Sequence, residues 1–473
     1  MINNIEFLSP YLVVAIGIVV GMLVVSYRRS KQSSAAVCMM TALVSIMSAI
    51  YLLPSVGNGV NVTSMVFINA FSLQVFILMM TALALICYQS LFALRHTTEF
   101  HDEYYLLLML AALGATFLSI SSHFGSMFIA FELLSISLVG LVGYLRKLDN
   151  SIEAGFKYLI LSASASSFML LGMAFIYSQT GSLGLNITYS SEQINNVIFQ
   201  AGVLLLASGV LFKLSLVPFH LWAPDVYQGA SAPITFFLST ISKVAMIAIV
   251  IRSFYGLTGG QLPSYAVYTP LLVVAILSMV IGNLLALKQE NLKRLLAYSS
   301  IAHMGYLLTV VFAWHEQSLV SSEQVVFTYS VGYVAASAGL FTFISWYERE
   351  GQSLDLSIFD GMFWRNRQQA LLILICVLSL AGIPLTFGFI GKFYLMSFAT
   401  ENHQWWLVSG IIVGSGISLV YYLPIIFRLF SREKQTESFS TKDIFMFKPF
   451  CFACSLIIVV LGIWPQSFFG FIS

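Results

Sequence analysis

The stretch Gly209-Val-Leu-Phe-Lys213-Leu-Ser-Leu-Val-Pro218-Phe-His220 carries a lysine and a proline at the end of a long apolar run. A run of about 20 apolar residues matches the ~30 Å hydrocarbon core of a bilayer. Proline removes a backbone hydrogen bond and disrupts the preceding turn. A charge at the bilayer centre opposes insertion by roughly 2.5–3.5 kcal/mol. The stretch therefore predicts a membrane helix that is broken beside a buried charge.

Similar apolar runs continue through the whole chain. Of its 473 residues, 59% are hydrophobic and 9% are charged, whereas soluble proteins carry about 25% charged residues. The gaps between the runs are too short for a soluble domain, so we predict an all-α polytopic membrane protein. The fourteen predicted spans, numbered in order, are 9–27, 35–53, 69–90, 104–121, 124–145, 154–178, 197–218, 231–255, 268–288, 293–314, 325–347, 369–400, 405–428 and 446–469.

The basic residues predict the topology. Seventeen of the 22 lysines and arginines follow odd-numbered spans, and none follows an even-numbered span. The positive-inside rule places these gaps in the cytoplasm and both termini on the other side. The gap after span 7 holds no basic residue and fits by parity alone. The seventeen are Arg28, Arg29, Lys31, Arg95, Arg146, Lys147, Lys288, Lys293, Arg294, Arg349, Arg365, Arg367, Arg428, Arg432, Lys434, Lys442 and Lys448.

The other five basic residues fall inside predicted spans: Lys157, Lys213, Lys243, Arg252 and Lys392. Arg252 is expected near the outer end of span 8, where its side chain can extend to the interface. The four lysines and Glu132 are expected deep in the membrane, where together they oppose insertion by about 12–17 kcal/mol. They therefore require pairing, hydration or a function that uses mobile charge.

A second broken helix is predicted in span 12, in Leu380-Ala-Gly382-Ile-Pro384-Leu-Thr-Phe-Gly388-Phe-Ile-Gly-Lys392. Broken helices at corresponding places in two halves are typical of transporters, and the freed carbonyls need water or protein partners. Because spans 7 and 12 are five apart, we predict two five-helix repeats, spans 4–8 and 9–13. An odd number of spans gives the second repeat inverted topology. The expected organisation is one domain over 1–473, with three N-terminal helices in residues 1–103, repeats at 104–255 and 268–428, and a last helix in 446–473.

The deep charges fit either a structural role or proton transfer. Glu132 is either a static ion-pair partner or one half of a pair with Lys213 that makes and breaks contact. Burial disfavours the charged form of lysine, which can then exchange its proton reversibly, as arginine cannot. Lys213, Lys243 and Lys392 therefore favour a relay, while Lys157, nearer a helix start, fits both roles equally.

Two histidines are further candidates. His303 is expected halfway along span 10, either as a packing residue or as a relay residue, because imidazole titrates near neutral pH. His220 follows Pro218 and is expected to line the break of span 7.

The sequence lacks the motifs of redox and nucleotide chemistry. It has no phosphate loop, dinucleotide fingerprint, haem pattern or Cys/His metal cluster. Its dispersed basic residues exclude a nucleic-acid interface. Cys451 and Cys454 have CxxC spacing within an apolar helix, which favours packing over metal binding.

Three stretches carry a family resemblance: residues 214–233, 292–306 and 380–393. The first, Leu214-Ser-Leu-Val-Pro-Phe-His-Leu-Trp-Ala-Pro-Asp-Val-Tyr-Gln-Gly-Ala-Ser-Ala-Pro233, resembles the span 7–8 signature of the subunit N family of bacterial NADH:quinone oxidoreductase (respiratory complex I). That family belongs to the antiporter-like membrane subunits. The resemblance implies fourteen helices with two inverted repeats, acting as a proton-translocating module coupled to quinone reduction elsewhere in the complex.

The resemblance also implies roles for individual residues. Glu132 and Lys213 would form the family's charged pair between spans 5 and 7. Lys243 would be the central lysine of the proton path, and Lys392 the basic residue of span 12. The sister M type has glutamate at the last position, so Lys392 favours subunit N. Protons would enter near span 7, pass Lys243 and His303, and leave past Lys392.

The resemblance also implies the surroundings. The chain would be a non-redox translocase subunit in a bacterial inner membrane, beside other membrane-arm subunits and lipid. It would bind no cofactor or metal, with NADH, FMN, iron–sulfur clusters and quinone (such as ubiquinone) on other subunits. The alternatives are a subunit of a multisubunit cation/proton antiporter or membrane-bound hydrogenase, a free-standing antiporter, and a structural scaffold.

Overall fold

The computed structural model describes residues 2–27, 29–57, 59–94, 102–146, 150–185, 190–258, 265–312, 321–349, 354–432 and 441–466. These ranges are almost entirely helical. The chain divides into two units, which we describe separately. Unit 1 comprises Met1–Ala230 and Phe237–Val274, and unit 2 comprises Ser231–Phe236 and Ala275–Ser473.

The first nine helices precede residue 230. After a 3₁₀ segment at Ile2–Leu8, they are α1 (Ser9–Tyr27), α2 (Lys31–Leu52), α3 (Ala70–Ala93), α4 (Asp102–Ile120), α5 (Phe124–Val142), α6 (Ser151–Thr180), α7 (Ser191–Ile194), α8 (Val197–Lys213) and α9 (Trp222–Gly229). A 3₁₀ turn, Leu53–Ser55, and two strands, β1 (Val60–Thr63) and β2 (Val66–Ile68), connect α2 to α3.

Ten further helices follow. They are α10 (Ala232–Ser239), α11 (Ile241–Thr258), α12 (Tyr265–Ala286), α13 (Leu292–Leu308), α14 (Ser322–Arg349), α15 (Met362–Arg365), α16 (Arg367–Ala381), α17 (Phe387–Glu401), α18 (Trp405–Phe430) and α19 (Thr441–Ile463). Two 3₁₀ turns lie among them, at Thr309–Val311 and Leu356–Phe359.

The predicted fold class is confirmed. Each predicted span coincides with one helix or a pair of helices, and ten helices in the described ranges are long and apolar enough to cross a membrane. Two short span ends, 313–314 and 467–469, lie outside the described residues. So do the predicted cytoplasmic residues Arg28, Arg95, Lys147 and Lys434 and the side chains of Lys442 and Lys448.

Both predicted helix breaks are present, and the structure corrects their bounds. Span 7 does not run to residue 218: α8 ends at Lys213, and Ser215 adopts a left-handed φ of 59° before α9 begins. Span 12 divides into α16 and α17, with left-handed φ angles of 79° at Gly382 and 74° at Leu385. The chain therefore leaves the helix several residues before Pro218 and two residues before Pro384.

Two features were missed in the sequence. Span 8 divides into α10 and α11 at Thr240 alone, and because the Thr240 carbonyl still accepts the Val244 N–H over 2.8 Å, the apolar span Ala232–Ser253 continues through this residue. The β1–β2 hairpin is antiparallel, with an irregular register between Asn61 and Thr63. Its strands are too short for a period-two pattern to stand out among the apolar runs.

The structure also shows a protein partner for Arg252, which was expected to reach the membrane interface. The backbone carbonyl of Phe67 in β2 accepts a hydrogen bond of 3.0 Å from the Arg252 guanidinium.

Close helix contacts position the lysines. In unit 1 a Cβ added to Gly172 of α6 would lie 2.4 Å from the backbone nitrogen of Leu206 in α8, so only glycine permits this approach. In unit 2 a Cβ on Gly388 of α17 would lie 2.0 Å from the carbonyl oxygen of Ser379 in α16. The first contact holds α8 against α6, and the second holds the two halves of span 12 together.

Candidate functional site

Lys213 is the buried charge at the first break. It is the last residue of α8 and only 1% exposed. Its ammonium nitrogen lies 2.8 Å from Ser135 Oγ and 2.7 Å from the Tyr158 hydroxyl. The same nitrogen lies 5.2 Å from the centre of the Phe131 ring. Two hydroxyl groups and one aromatic ring therefore surround this cation.

Glu132 lies near Lys213, but the two do not form the expected contact pair. Its Oε1 atom is buried without a hydrogen-bond partner, and within the described ranges no ion pair of 4.0 Å or less joins it to Lys213. Glu132 lies about one turn before Ser135 on α5, the helix whose Ser135 contacts Lys213. The hydroxyls thus occupy the positions at which a carboxylate partner was expected.

The chain after Lys213 is fixed by an indole. Trp222 Nε1 donates over 3.1 Å to the Phe212 carbonyl, which also accepts the Ser215 backbone N–H over 2.9 Å. The Trp222 ring lies 5.3 Å from the Phe212 ring and 5.0 Å from the Tyr158 ring. His220 is buried in the same break, and its Nδ1 has no partner among the described residues.

Lys243 is the second buried lysine of unit 1. It lies in the first turn of α11 and is fully buried. Its ammonium nitrogen lies 5.8 Å from the centre of the Tyr227 ring. This lysine thus lies within the apolar span Ala232–Ser253.

Lys157 differs from the other lysines. It lies in the second turn of α6, its side chain is 40% exposed, and it pairs with Glu153 at 2.7 Å and Asp225 at 2.8 Å. The expectation that it lies deep in its span is therefore wrong. Because α6 begins at Ser151, residue 157 lies near the helix end, where carboxylates can reach it.

Lys392 is a buried lysine of unit 2, and backbone carbonyls hold it. Its nitrogen donates to the carbonyl oxygens of Ala381 at 2.8 Å and Leu380 at 3.3 Å. These carbonyls are the last of α16, freed where Gly382 turns the chain. The end of a helix carries partial negative charge, which favours a cation there. The Tyr306 ring lies 5.4 Å from the same nitrogen.

His303 belongs to a tyrosine cluster in unit 2. Its Nδ1 lies 2.5 Å from the Tyr329 hydroxyl, and its ring lies 5.8 Å from the Tyr306 ring and 5.1 Å from the Tyr333 ring. Asn283 joins Tyr306 to a fourth tyrosine: Asn283 Nδ2 donates to the Tyr306 hydroxyl, and Asn283 Oδ1 accepts from Tyr421, both over 2.9 Å. His303 and Lys392 thus both contact Tyr306.

The hydroxyl groups beside the candidate residues and one buried ion pair were not predicted from the sequence. Ser135, Tyr158, Tyr306 and Tyr329 contact the candidate relay residues, and their polarity within apolar helices was the available signal. Lys293, assigned to a cytoplasmic gap, is buried and ion-paired with Glu348, which also accepts the Ala232 backbone N–H over 2.8 Å.

In the portion of the chain that the structure describes, no group of three His, Cys, Asp or Glu residues could hold a metal ion.

Comparisons with known proteins identify the family and the fold of the chain. The family model described as NADH:quinone oxidoreductase/Mrp antiporter, transmembrane, matches residues 121–418. A chain of respiratory complex I from Thermus thermophilus is 27% identical, with a TM-score of 0.82 and 97% of each chain covered.

Two further structures show the same fold at lower identity. A chain of the membrane-bound sulfane sulfur reductase, an archaeal respiratory membrane complex, is 22% identical with a TM-score of 0.84, covering 99% of this chain and 96% of that one. A chain of the Mrp complex from Dietzia is 19% identical with a TM-score of 0.86, covering 98% and 96%. At these identities the likeness concerns the fold alone.

Proposed function

Because the chain belongs to the NADH:quinone oxidoreductase/Mrp antiporter transmembrane family, it is an antiporter-like, proton-translocating membrane subunit, and we propose that its complex is a bacterial NADH:quinone oxidoreductase. Within that complex we assign it to the position of subunit N. The motif at residues 214–233 supports this choice, and so does Lys392, where the M type has glutamate.

One observation carries the proposal: three lysines are buried within the membrane spans. Lys213 and Lys392 lie at the breaks of spans 7 and 12, and Lys243 lies in the first turn of α11. Buried charge within a membrane protein is costly and marks ion pathways. A scaffold would gain nothing from three such residues, two of them at helix breaks.

In the proposed mechanism, quinone reduction on other subunits changes the interaction between Glu132 and Lys213. The proton released at Lys213 passes to Lys243, continues by His303 and leaves past Lys392, with His220 lining the entry. Moving one proton outward against 100 mV costs about 2.3 kcal/mol. The redox reaction elsewhere in the complex supplies this energy.

The proposal includes the surroundings of the chain. NADH, FMN, iron–sulfur clusters and quinone reside on other subunits, and neighbouring membrane-arm subunits are its partners. The complex lies in the bacterial inner membrane, with both termini of this chain on the periplasmic side, as the distribution of basic residues favours.

The test uses the assembled complex in inverted membrane vesicles. NADH-driven acidification is followed with a pH-sensitive dye, and NADH oxidation is followed in parallel. We expect Lys243→Ala, Lys213→Ala and Glu132→Ala to lower protons moved per NADH oxidised. Lys288→Ala, which removes an exposed lysine, is the matched control and should leave the ratio unchanged.

Full proton stoichiometry in Lys243→Ala would overturn the relay. Proton exchange driven by sodium, with no dependence on NADH, would instead assign the chain to an Mrp-type antiporter complex. Coupled activity with methionine at Lys213, Lys243 and Lys392 together would indicate a scaffold.

A further inference from the structure

One carboxylate of unit 2 meets the ends of three helices. Glu348, the next-to-last residue of α14, forms an ion pair through Oε1 with Lys293, the second residue of α13. Its other oxygen, Oε2, accepts the backbone N–H of Ala232, the first residue of α10, over 2.8 Å. The Lys293 side chain is buried and that of Glu348 is largely buried. The carboxylate therefore connects α10, α13 and α14.

The two helices that carry this ion pair gain little from it. The start of a helix has partial positive charge and its end has partial negative charge. Lys293 at the start of α13 and Glu348 at the end of α14 therefore each oppose the charge of their own helix. Asn291 already accepts the backbone N–H groups of Lys293 and Arg294, over 3.0 and 3.2 Å, so α13 does not need the carboxylate as a cap. Of the three helix ends, only the start of α10 benefits from a carboxylate.

The start of α10 requires an acceptor from outside the helix. The first N–H groups of a helix have no partner within it. Pro233 has no N–H, and the Thr235 N–H donates to the Ser231 carbonyl over 2.9 Å. Because Ala232 is fully buried, its N–H needs a protein acceptor, and Glu348 supplies one. The bond between Glu348 and Ala232 thus fixes where α10 begins.

Lys243 lies further along the helix that this bond fixes. The Thr240 carbonyl accepts the Val244 N–H over 2.8 Å, so the apolar span Ala232–Ser253 continues from α10 into α11. Lys243 lies about three turns beyond the start of that span. Misplacement of a reacting group by about 1 Å can lower a rate by about 100-fold. The start of α10 can therefore affect the reaction of Lys243 without contacting it.

We propose that Glu348 is a positioning residue for Lys243. Its carboxylate fixes the start of α10, and Lys293 supplies the countercharge that a buried carboxylate requires. Glu348 exchanges no proton in this role, so the route from Lys213 to Lys243 is unchanged. The inference rests on the proposed proton-translocating function, in which Lys243 carries the proton. It accounts for an ion pair whose two charges oppose the helices that carry them.

Two double variants separate the acceptor from the charge. Lys293→Met with Glu348→Gln removes both charges and keeps a side-chain oxygen for the Ala232 N–H, whereas Lys293→Met with Glu348→Met removes that oxygen as well. In NADH-driven inverted vesicles, we expect the first variant to keep the number of protons moved per NADH oxidised. The second should lower this ratio as far as Lys243→Ala does. A structural role alone would reduce the amount of assembled complex, measured on native gels, and leave the ratio unchanged.

Ala232→Pro tests the same bond while both charges stay in place. Proline lacks the N–H that donates to Glu348, and it is favoured at the first position of a helix, so α10 can still form. We expect the same loss of protons moved per NADH. The matched control is Arg428→Met with Asp360→Asn, which removes a partly exposed ion pair of unit 2 and should leave the ratio unchanged.

An unchanged ratio in Ala232→Pro would overturn the inference. Equal losses in the two double variants would also overturn it, because the charges and not the acceptor would then matter. Lys243→Ala decides the proposed function separately, since full proton stoichiometry in that variant removes the relay itself. A loss in Lys243→Ala together with an unchanged ratio in Ala232→Pro removes only the role of Glu348.

Discussion

The two helix breaks hold their lysines in different ways. In unit 1, Lys213 is bonded to two hydroxyls, those of Ser135 and Tyr158. In unit 2, Lys392 is bonded to two carbonyl oxygens at the end of α16. Both lysines are buried, and each lies 5.2–5.4 Å from a tyrosine ring. The two sites therefore differ in the type of oxygen atom that contacts the ammonium group, and hence in whether that oxygen can donate a hydrogen bond as well as accept one.

Hydroxyl groups accept or donate, whereas carbonyl oxygens only accept. Lys213 can therefore lose its proton and keep a hydrogen bond, which suits a residue that changes state. Lys392 needs its N–H groups and benefits from the partial negative charge at the helix end. We infer that Lys213 acts by releasing its proton, and that Lys392 acts mainly as a fixed positive charge past which protons leave.

Arginine at each lysine position gives the largest expected contrast. Arginine keeps its charge and its donors but does not release a proton in proteins. Lys213→Arg should lower NADH-driven proton translocation by about 100-fold, the lower end for loss of acid–base catalysis. Lys392→Arg should keep the rate within about threefold of the unmodified chain, since carbonyl partners require only a charged donor.

The control for this pair is Lys288→Arg at an exposed site, measured in the same vesicles. Equal losses in Lys213→Arg and Lys392→Arg would remove the distinction between the two breaks. A larger loss at Lys392 would reverse it.

Replacing each lysine with the neutral residue methionine should affect thermal stability in the opposite order, with the larger loss at Lys392. Lys392→Met leaves the carbonyls of Leu380 and Ala381 without their donor, and an unsatisfied buried group costs about 1–3 kcal/mol. Lys213→Met leaves hydroxyls that can reorient, and it also removes a buried charge. We expect Lys392→Met to lower the thermal stability of the purified complex more than Lys213→Met, as measured by the fraction assembled after heating. Equal stability of the two variants would contradict the role assigned to the carbonyls.

The sequence predicted where the breaks lie better than what surrounds them. Proline near Lys213 and Lys392 locates the discontinuities, because proline cannot continue a helix and charge is costly in lipid. The partners of each lysine come from α5, α6 and the end of α16. Such contacts depend on how helices pack and rotate, which apolar runs without periodicity do not specify. The hydroxyls near Lys213 were therefore missed.

Lys157 and Lys293 illustrate the same limit in opposite directions. Lys157 was expected deep in a span and is partly exposed, paired with two carboxylates. Lys293 was expected in a gap and is buried against Glu348. A few residues of error in a helix end move a side chain by several ångströms along the membrane normal. Helix ends are the least certain element of a sequence-based prediction, so the depth of residues near them is uncertain as well.

The smallest expected effect distinguishes the backbone of the two breaks. Ser215 in unit 1 and Gly382 in unit 2 both adopt left-handed φ angles, of 59° and 79°. A residue with a Cβ pays about 1–2 kcal/mol in that region, and glycine does not. Gly382→Ala should therefore destabilise the complex by about 1–2 kcal/mol, and more if the new Cβ, 2.7 Å from the Lys392 side chain, displaces the lysine.

Ser215→Gly should instead stabilise the complex. Glycine adopts the left-handed φ of residue 215 without strain. The change also removes the buried Ser215 Oγ, which has no hydrogen-bond partner in the described ranges. Because glycine also gains more freedom in the unfolded chain, the net stabilisation should stay below about 1 kcal/mol. The measurement is the same heating assay, with Ser215→Ala as the control that removes the hydroxyl but keeps the Cβ. If Ser215→Ala stabilises as much as Ser215→Gly, the gain comes from the hydroxyl, and backbone conformation does not distinguish the two breaks.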